Sequence, residues 1–487
     1  MYGVKVTTAV SAVVLLLAQI GPTPAIADTI EAALVRAYQN NPQLNAQRAQ
    51  VRSTDENVPQ ALSGYRPKVA LTASAGYQYT DTLTTSGGTP TQLVRTDIHG
   101  ANPPRSVGLT VTQNLYNGQQ TANKTRAAES QVSGSREALR VLEQSVLLSA
   151  ATIYMDYLRD SAVLEVQKSN VRVLEQTLKQ TRDRFNVGEV TRTDVAQAQA
   201  RRAAAVSALD LAKANLQTSR ATYERVIGHP PSNLIEPKPS GLVPKTLADN
   251  SEISARENPA VVAALYREQA AKYSVDRIRG ERLPSAQLEA TYQKRFDESI
   301  GLEWQETTAV TGRLTVPFYS GGEVEARVRQ AKHTHVSRLQ EIEQARTEVL
   351  AQVVAAWSQL IAARAQLESD QASVDANRIA LAGVREEERV GQRTLLDVLN
   401  AEQELLNSEV NLVTTKRNLV VASYNVLSTI GRLNSQELGV ASLVYDPEAH
   451  YLDVRNKWFD VNITHSDGRR ETLEAPPAPR PAPKPAK

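Results

Sequence analysis

This chain offers little with which to make or break a covalent bond. Its 487 residues include no cysteine, which removes thiolate nucleophiles, thiolate metal sites and disulfides, and its six histidines are scattered. His333 and His335 stand two apart and so fall on different sides of a helix. Gly321-Gly322 lacks the lysine of a phosphate loop and suits a helix start after a strand. No catalytic, metal or cofactor site is expected. The side chains able to act on one another gather instead in a stretch that occurs twice. Val187-Gly188-Glu189-Val190-Thr191-Arg192-Thr193-Asp194-Val195 returns as Val390-Gly391-Gln392-Arg393-Thr394-Leu395-Leu396-Asp397-Val398, displaced by 203 positions. A guanidinium can bridge a carboxylate and a hydroxyl at once, so Arg393 is expected to link to Asp194 or Thr193. An exposed pair of this kind contributes only about 0 to 1 kcal/mol, which suits a latch that a partner can open.

Each copy of the stretch follows one long helical pattern and precedes another, so it reads as the tip of a helical hairpin. Gly188 and Gly391 can take the left-handed conformation that ends a helix. Thr191 or Thr193, and Thr394, can cap the helix that follows, with Asp194 and Asp397 in its positively polarised first turn.

Four Phe, two Met and three Trp are too few for a large conventional core, and the abundance of Ala, Gln, Leu, Val, Arg and Glu suits long helices packed through narrow seams. Lys plus Arg number 55 against 53 Asp plus Glu, so no basic field invites nucleic acid. Lys5, the apolar run Ala9 to Ile20 and Ala25-Ile26-Ala27 form a cleaved export signal over residues 1–27, with a mature start at Asp28. Nothing later reaches the roughly 20 apolar residues of a helical span, so the mature protein is soluble or enters a membrane as strands.

Asp28-Thr29-Ile30-Glu31 resembles a capping box, and the helix it opens is interrupted at Asn41-Pro42. From Val69 the period changes to two, through Leu71, Ala73, Ala75, Tyr77 and Tyr79. Residues 81 to 105 read as a surface loop, and Val107, Leu109 and Val111 begin a second strand. A helix then runs from about Gln119 to Phe185, ~100 Å at 1.5 Å per residue. After the tip a shorter, Ala-rich helix ends near Ile227-Gly228. Asn258-Pro259 and Leu283-Pro284 match Asn41-Pro42 and Arg66-Pro67, both displaced by 217. A second long helix follows, with Leu350, Val353, Trp357, Leu360, Leu367, Val374 and Leu381 on one seam.

The domains are therefore a first repeat at 28–228 with strand pair 67–116, a linker at 229–245, and a second repeat at 246–431 with strand pair 284–317. An unpatterned segment follows at 432–475, then a Pro/Ala/Lys tail at 476–487. Tyr77, Tyr79, Tyr292, Trp304 and Tyr319 are either interfacial aromatics of a barrel or ordinary strand packing. Four strands cannot close around a lumen. Two copies give a barrel plugged by its own side chains, whereas three give twelve strands and leave an aqueous channel.

The export signal, the duplicated strand-pair and long-helix plan, Phe185-Asn186-Val187-Gly188 and the 390–399 motif resemble TolC-type outer-membrane channel proteins. The resemblance implies a mainly α fold with a β-barrel part: a homotrimer with a twelve-stranded outer-membrane barrel, continued by a helical barrel through the periplasm. The 432–475 segment would then be equatorial. It further implies docking to a periplasmic adaptor and an inner-membrane ABC or RND transporter, for type I secretion or multidrug efflux. Matching the family's motifs assigns a periplasmic gate to Asp183, Thr193, Asp194, Glu388 and Arg393, with Arg385 or Arg389 neutralising Glu388. It assigns a lumenal acidic ring to Asp397 and Asn400, and adaptor docking to the turns at Val187, Gly188, Val390 and Gly391. Glu388 stands where the family has a tyrosine, Asn400 replaces an aspartate and Asp183 a glutamine, so a weaker cation site is expected. A soluble periplasmic coiled-coil scaffold is the competing reading; recovery of the mature protein without detergent would favour it.

Overall fold

The structure, a computed structural model, describes residues 29–87, 94–438, 445–459, 461–464 and 470–471. The expected export signal and the Pro/Ala/Lys tail lie outside the described residues.

The chain runs through α1 (Ile30–Asn40), α2 (Pro42–Asp55) and α3 (Asn57–Leu62) into strands β1 (Lys68–Ala75), β2 (Gln78–Ser86), β3 (Val94–Asn102) and β4 (Arg105–Asn117). Helices α4 (Gln120–Asn186) and α5 (Arg192–Ile227) complete the first half. The plan then repeats as α6 (Leu247–Glu257), α7 (Pro259–Arg279), β5 (Ser285–Ser299), β6 (Leu302–Thr315), α8 (Glu323–Arg389) and α9 (Leu395–Thr429), and α10 (Pro447–Val454) follows. The two long helices have 67 residues each.

Local chemistry explains the breaks. At the α1/α2 break Asn41 Oδ1 accepts the backbone N–H of Gln43 at 2.9 Å, and at the α6/α7 break Asn258 Oδ1 accepts that of Ala260 at 2.9 Å. In both, proline takes the first helical position, where its missing N–H costs nothing. At the start of α1 Thr29 is the cap, its hydroxyl accepting the Ala32 N–H at 3.3 Å; Asp28 lies outside the described residues.

The expected loop at 81–105 is also corrected. Its Thr-rich segments form an antiparallel ribbon, β2 with β3, set off from β1 and β4 by Gly76 and by Pro103-Pro104, with the Gly76 N–H donating to the Pro104 carbonyl at 2.9 Å. Threonine is β-branched and favours strands, a preference hidden by the Gly and Pro around it.

The main sheet is antiparallel in the order β1-β4-β5-β6. Residues opposite one another across such a sheet share a face. The register therefore puts Val69, Val111, Ala290 and Val310 in one row and Leu71, Leu109, Tyr292 and Thr308 in the next. The other face carries Thr72, Gly108, Gln293 and Thr307, then Ser74, Ser106, Arg295 and Gln305. Apolar side chains on the first face lie open: Val69, Leu71, Val310 and Leu314 are 65–72% exposed. Among the described residues, strands β1 and β6 each have a partner on one side only.

The chain divides into two compact units, one mostly helical and one bearing the strands. The core of the helical unit packs Leu147 and Tyr154 of α4, Tyr223 and Ile227 of α5, Val353 and Leu360 of α8, and Leu427 of α9. The Tyr154 hydroxyl donates to the Ile235 carbonyl at 2.8 Å and so fastens the segment after α5. Buried residues recur by sevens: Ala198, Ala205 and Ala212 on α5, and Val353, Leu360, Val374 and Leu381 on α8 with one position skipped. Leu350, expected on that seam, is exposed, and Val349 is buried in its place. In the strand-bearing unit Val58, Ala61, Ala128 and Val132 form a smaller core, with Tyr451 of α10 against it.

Candidate functional site at the helical tips

The two tips are built alike. At the first, the Glu189 N–H donates to the Arg184 carbonyl at 2.9 Å and the Gly188 N–H to that of Phe185 at 3.0 Å; at the second, Gln392 reaches Glu387 at 2.8 Å and Gly391 reaches Glu388 at 3.0 Å. This nested pair of bonds needs a left-handed residue, supplied by Gly188 at φ 81° and Gly391 at φ 78°. Val187 and Val390 are exposed beside them.

Capping boxes start the returning helices. Thr191, rather than Thr193, is the first cap: its Oγ1 accepts the Asp194 N–H at 3.3 Å, and Asp194 Oδ2 accepts the Thr191 N–H at 2.9 Å. Thr394 and Asp397 repeat this at 3.3 and 3.0 Å. Hydrogen bonds from Thr394, aided by the nearby Arg393 charge, hold the Asp397 carboxyl below its ordinary range. A carboxyl depressed in the folded state stabilises above its unfolded pKa and loses that contribution as pH falls through the folded value. Thr394→Val should move Asp397 back toward an ordinary aspartate, read by the carboxyl carbon shift of aspartate-labelled protein; an unmoved titration would show that the hydroxyl matters little.

Within one copy Arg393 joins neither Asp194 nor Thr193: its Nε donates to Glu387 at 2.9 Å, a partner just across the same turn, while Asp194 is committed to its own helix start. The contact that crosses from one hairpin to the other is Arg184 Nη1 to Glu388 Oε1 at 2.6 Å, and Arg184 also reaches Glu189 at 3.2 Å. Glu388 raises the affinity of the Arg184 guanidinium for its proton. Arg385 pairs with Glu402 at 2.9 Å and Arg389 with Glu386 at 2.8 Å, so neither of these neutralises Glu388. A second bridge between hairpins runs from Arg201 to Asn400 Oδ1 at 2.7 Å. Asp183 and Thr193 are exposed.

Arg184 and Arg201 were missed because their partners lie about 200 residues away in sequence. A charge comparison of matched windows finds them. Residues 179–202 carry Lys179, Arg182, Arg184, Arg192, Arg201 and Arg202 against three carboxylates. Residues 382–405, their repeat, carry Glu386, Glu387, Glu388, Asp397, Glu402 and Glu404 against three arginines. One tip is basic and its duplicate acidic.

The described residues thus combine a sheet that is apolar on one face with two helical hairpins whose tips meet through polar contacts. Residues 33–229 and 251–432, one block in each half, match the family model described as Outer membrane efflux protein. The chain is 36% identical over 447 residues to the outer membrane efflux protein BepC of Brucella suis biovar 1, covering 91% of this chain and 94% of that protein. It is 25% identical over 419 residues to the outer membrane protein TolC of Vibrio cholerae, covering 83% and 90%. Its fold is similar to the Campylobacter jejuni CmeC outer membrane channel, with a TM-score of 0.72 at 18% identity, over 88% of this chain and 89% of that one. The chain belongs to the outer membrane efflux protein family, and it is an outer-membrane protein that extends into the periplasm.

Proposed function

We propose that three copies form a passive export duct, gated at the helical tips and driven by its partners. The observation that carries this reading is the four-stranded sheet, apolar on one face, polar on the other and, among the described residues, unpartnered along the outer edges of β1 and β6. In hydrocarbon an open strand edge is costly, so β6 of one copy must meet β1 of the next until the ring closes. Three copies give twelve strands with the polar face toward water. A second apolar row on α8, including Val336, Leu350, Val354 and Ile361, is exposed in one copy and suits burial against a neighbour.

At the tips, Arg184 with Glu388 and Arg201 with Asn400 hold the two hairpins of a copy together, and Arg393, Asp194, Thr193 and Asp183 face the neighbouring copies. Asp397, present three times, makes the lumen favour cations; Asn400, engaged by Arg201, adds no charge to that ring. The exposed turns at Val187-Gly188 and Val390-Gly391 receive a periplasmic adaptor that recruits an inner-membrane ABC or RND transporter, for efflux or type I secretion.

The test is single-channel current from detergent-purified mature protein in a planar bilayer, with a crosslinked sample sized alongside. Small, cation-favouring steps from a trimer are expected. No insertion, together with a monomer that stays in solution without detergent, would overturn the duct.

A further inference from the structure

The described residues after α10 place an aromatic pair at one end of the sheet. Trp458 and Phe459 have ring centres 6.1 Å apart and are 57% and 92% exposed, a poor state for such apolar groups in water. They are held in place by Arg66, two residues before β1: its guanidinium carbon lies 4.8 Å from the Trp458 ring centre, and its Nη1 donates to the Lys457 carbonyl at 2.6 Å. Lys457 is itself tied to Asp453 at 2.8 Å. Phe318 and Tyr319, just beyond β6 at this same end of the sheet, are 96% and 85% exposed. Val461 and Ile463, further along the chain, are exposed as well.

The sheet sets the depth of this cluster. Its opposite end carries Trp304 across from Phe296. From Trp304 to the last residue of β6, Thr315, the strand advances ~37 Å at about 3.4 Å per residue, or about 26 Å of depth if tilted by ~45°. That is the height of the apolar band of a membrane barrel, about 25 Å, which is bounded at both interfaces by aromatic residues.

We propose that Trp458 and Phe459 anchor the segment after α10 in the phospholipid headgroup layer of the periplasmic leaflet, with Arg66 facing lipid phosphate. The inference rests on the membrane placement of the sheet proposed above. Trp and Phe rings suit the boundary between acyl chains and headgroups, and a guanidinium stacked on the indole keeps its edge available to an anionic oxygen. The apolar face of β1 begins at Val69, three residues after Arg66, so the anchor continues the surface that lipid already covers. A short helix and the segment that follows it are thereby fixed to the membrane surface.

The chain has three tryptophans, Trp304, Trp357 and Trp458, which makes the test direct. Full-length mature protein is reconstituted in phosphatidylethanolamine/phosphatidylglycerol vesicles, with and without lipid brominated near the glycerol end of its acyl chains. The W304F/W357F variant reports Trp458 alone. The difference between wild type and W458F reports it again by subtraction, should the double variant fold poorly. Trp458 is expected to lose most of its emission to the brominated lipid. Quenching of Trp304 but not of Trp458 would overturn the anchor while leaving the membrane sheet intact. In that case, iodide quenching of Trp458 would place the segment in water, and protection from iodide would place it against another copy. Quenching of neither Trp304 nor Trp458 would remove the membrane placement itself.

Discussion

Gly118→Ala is expected to abolish the proposed trimer and most of the folded yield. Gly118 links β4 to α4 at φ +62°, and a Cβ there would lie 2.1 Å from the Gly280 carbonyl oxygen and 2.9 Å from Leu283 Cβ. Gly280 is as constrained, since its own Cβ would lie 2.3 Å from the Gly118 carbonyl oxygen. Backbone meets backbone here, so no side chain can rotate away. The left-handed conformation costs a non-glycine residue about 1 to 2 kcal/mol. Overpacking adds typically about 1 to 3 kcal/mol, and together they consume much of a domain's marginal stability. Gly188→Ala at the first tip is the control: φ is +81°, yet nothing lies within 4 Å, so only the conformational cost applies. The repeat supplies a second comparison. Gly321, the counterpart of Gly118, also meets nothing within 4 Å in a single copy. If β6 meets β1 of the next copy, Gly321→Ala should spare the fold of each copy but lower the trimer yield. Normal folding and trimer yield for Gly118→Ala, measured by circular dichroism and gel mobility of unheated sample, would contradict the close approach.

Much of this architecture was legible because duplication writes the same physics twice. Two glycines 203 positions apart, each followed by threonine and aspartate, could only be repeated helix ends, and the seven-residue steps of Val353, Leu360, Val374 and Leu381 gave the seam. What failed had local causes. The β2/β3 ribbon was hidden because Thr82, Thr84 and Thr96 sit among Gly and Pro residues, and composition then outweighed β propensity. Leu350 was placed on the seam because one position of drift in a long helix moves a side chain to another face. The partners within one copy are not legible in the sequence for a different reason. An arginine selects the nearest carboxylate in space, and for Arg393 that is Glu387 on its own hairpin, whereas Arg184 is the one that reaches across.

That exchange makes charge reversal at the tip the most informative gating experiment. Arg184→Glu would place a carboxylate against Glu388, now 2.6 Å from the guanidinium, and against Glu189, now at 3.2 Å. Both partners are partly solvated, so each copy loses only about 0.5 to 1 kcal/mol of attraction before repulsion is added. In the proposed trimer, three copies acting on one gate would lose about 1.5 to 3 kcal/mol, enough to raise the open population about 10- to 100-fold. Single-channel conductance in a planar bilayer should therefore rise, and the wild type should approach the variant as salt screens the pair. The Arg184→Glu/Glu388→Arg double variant should recover part of the closed state. Recovery is incomplete because Glu189 would then repel the new carboxylate at position 184. Arg393→Ser and Asp194→Ala test the contacts between copies instead, since within one copy each of these side chains is engaged on its own hairpin. A conductance unchanged by Arg184→Glu but raised by Arg393→Ser would move the latch from within each copy to the boundaries between them. The opposed charges of the two tips would then act around the ring, from the basic hairpin of one copy to the acidic hairpin of the next.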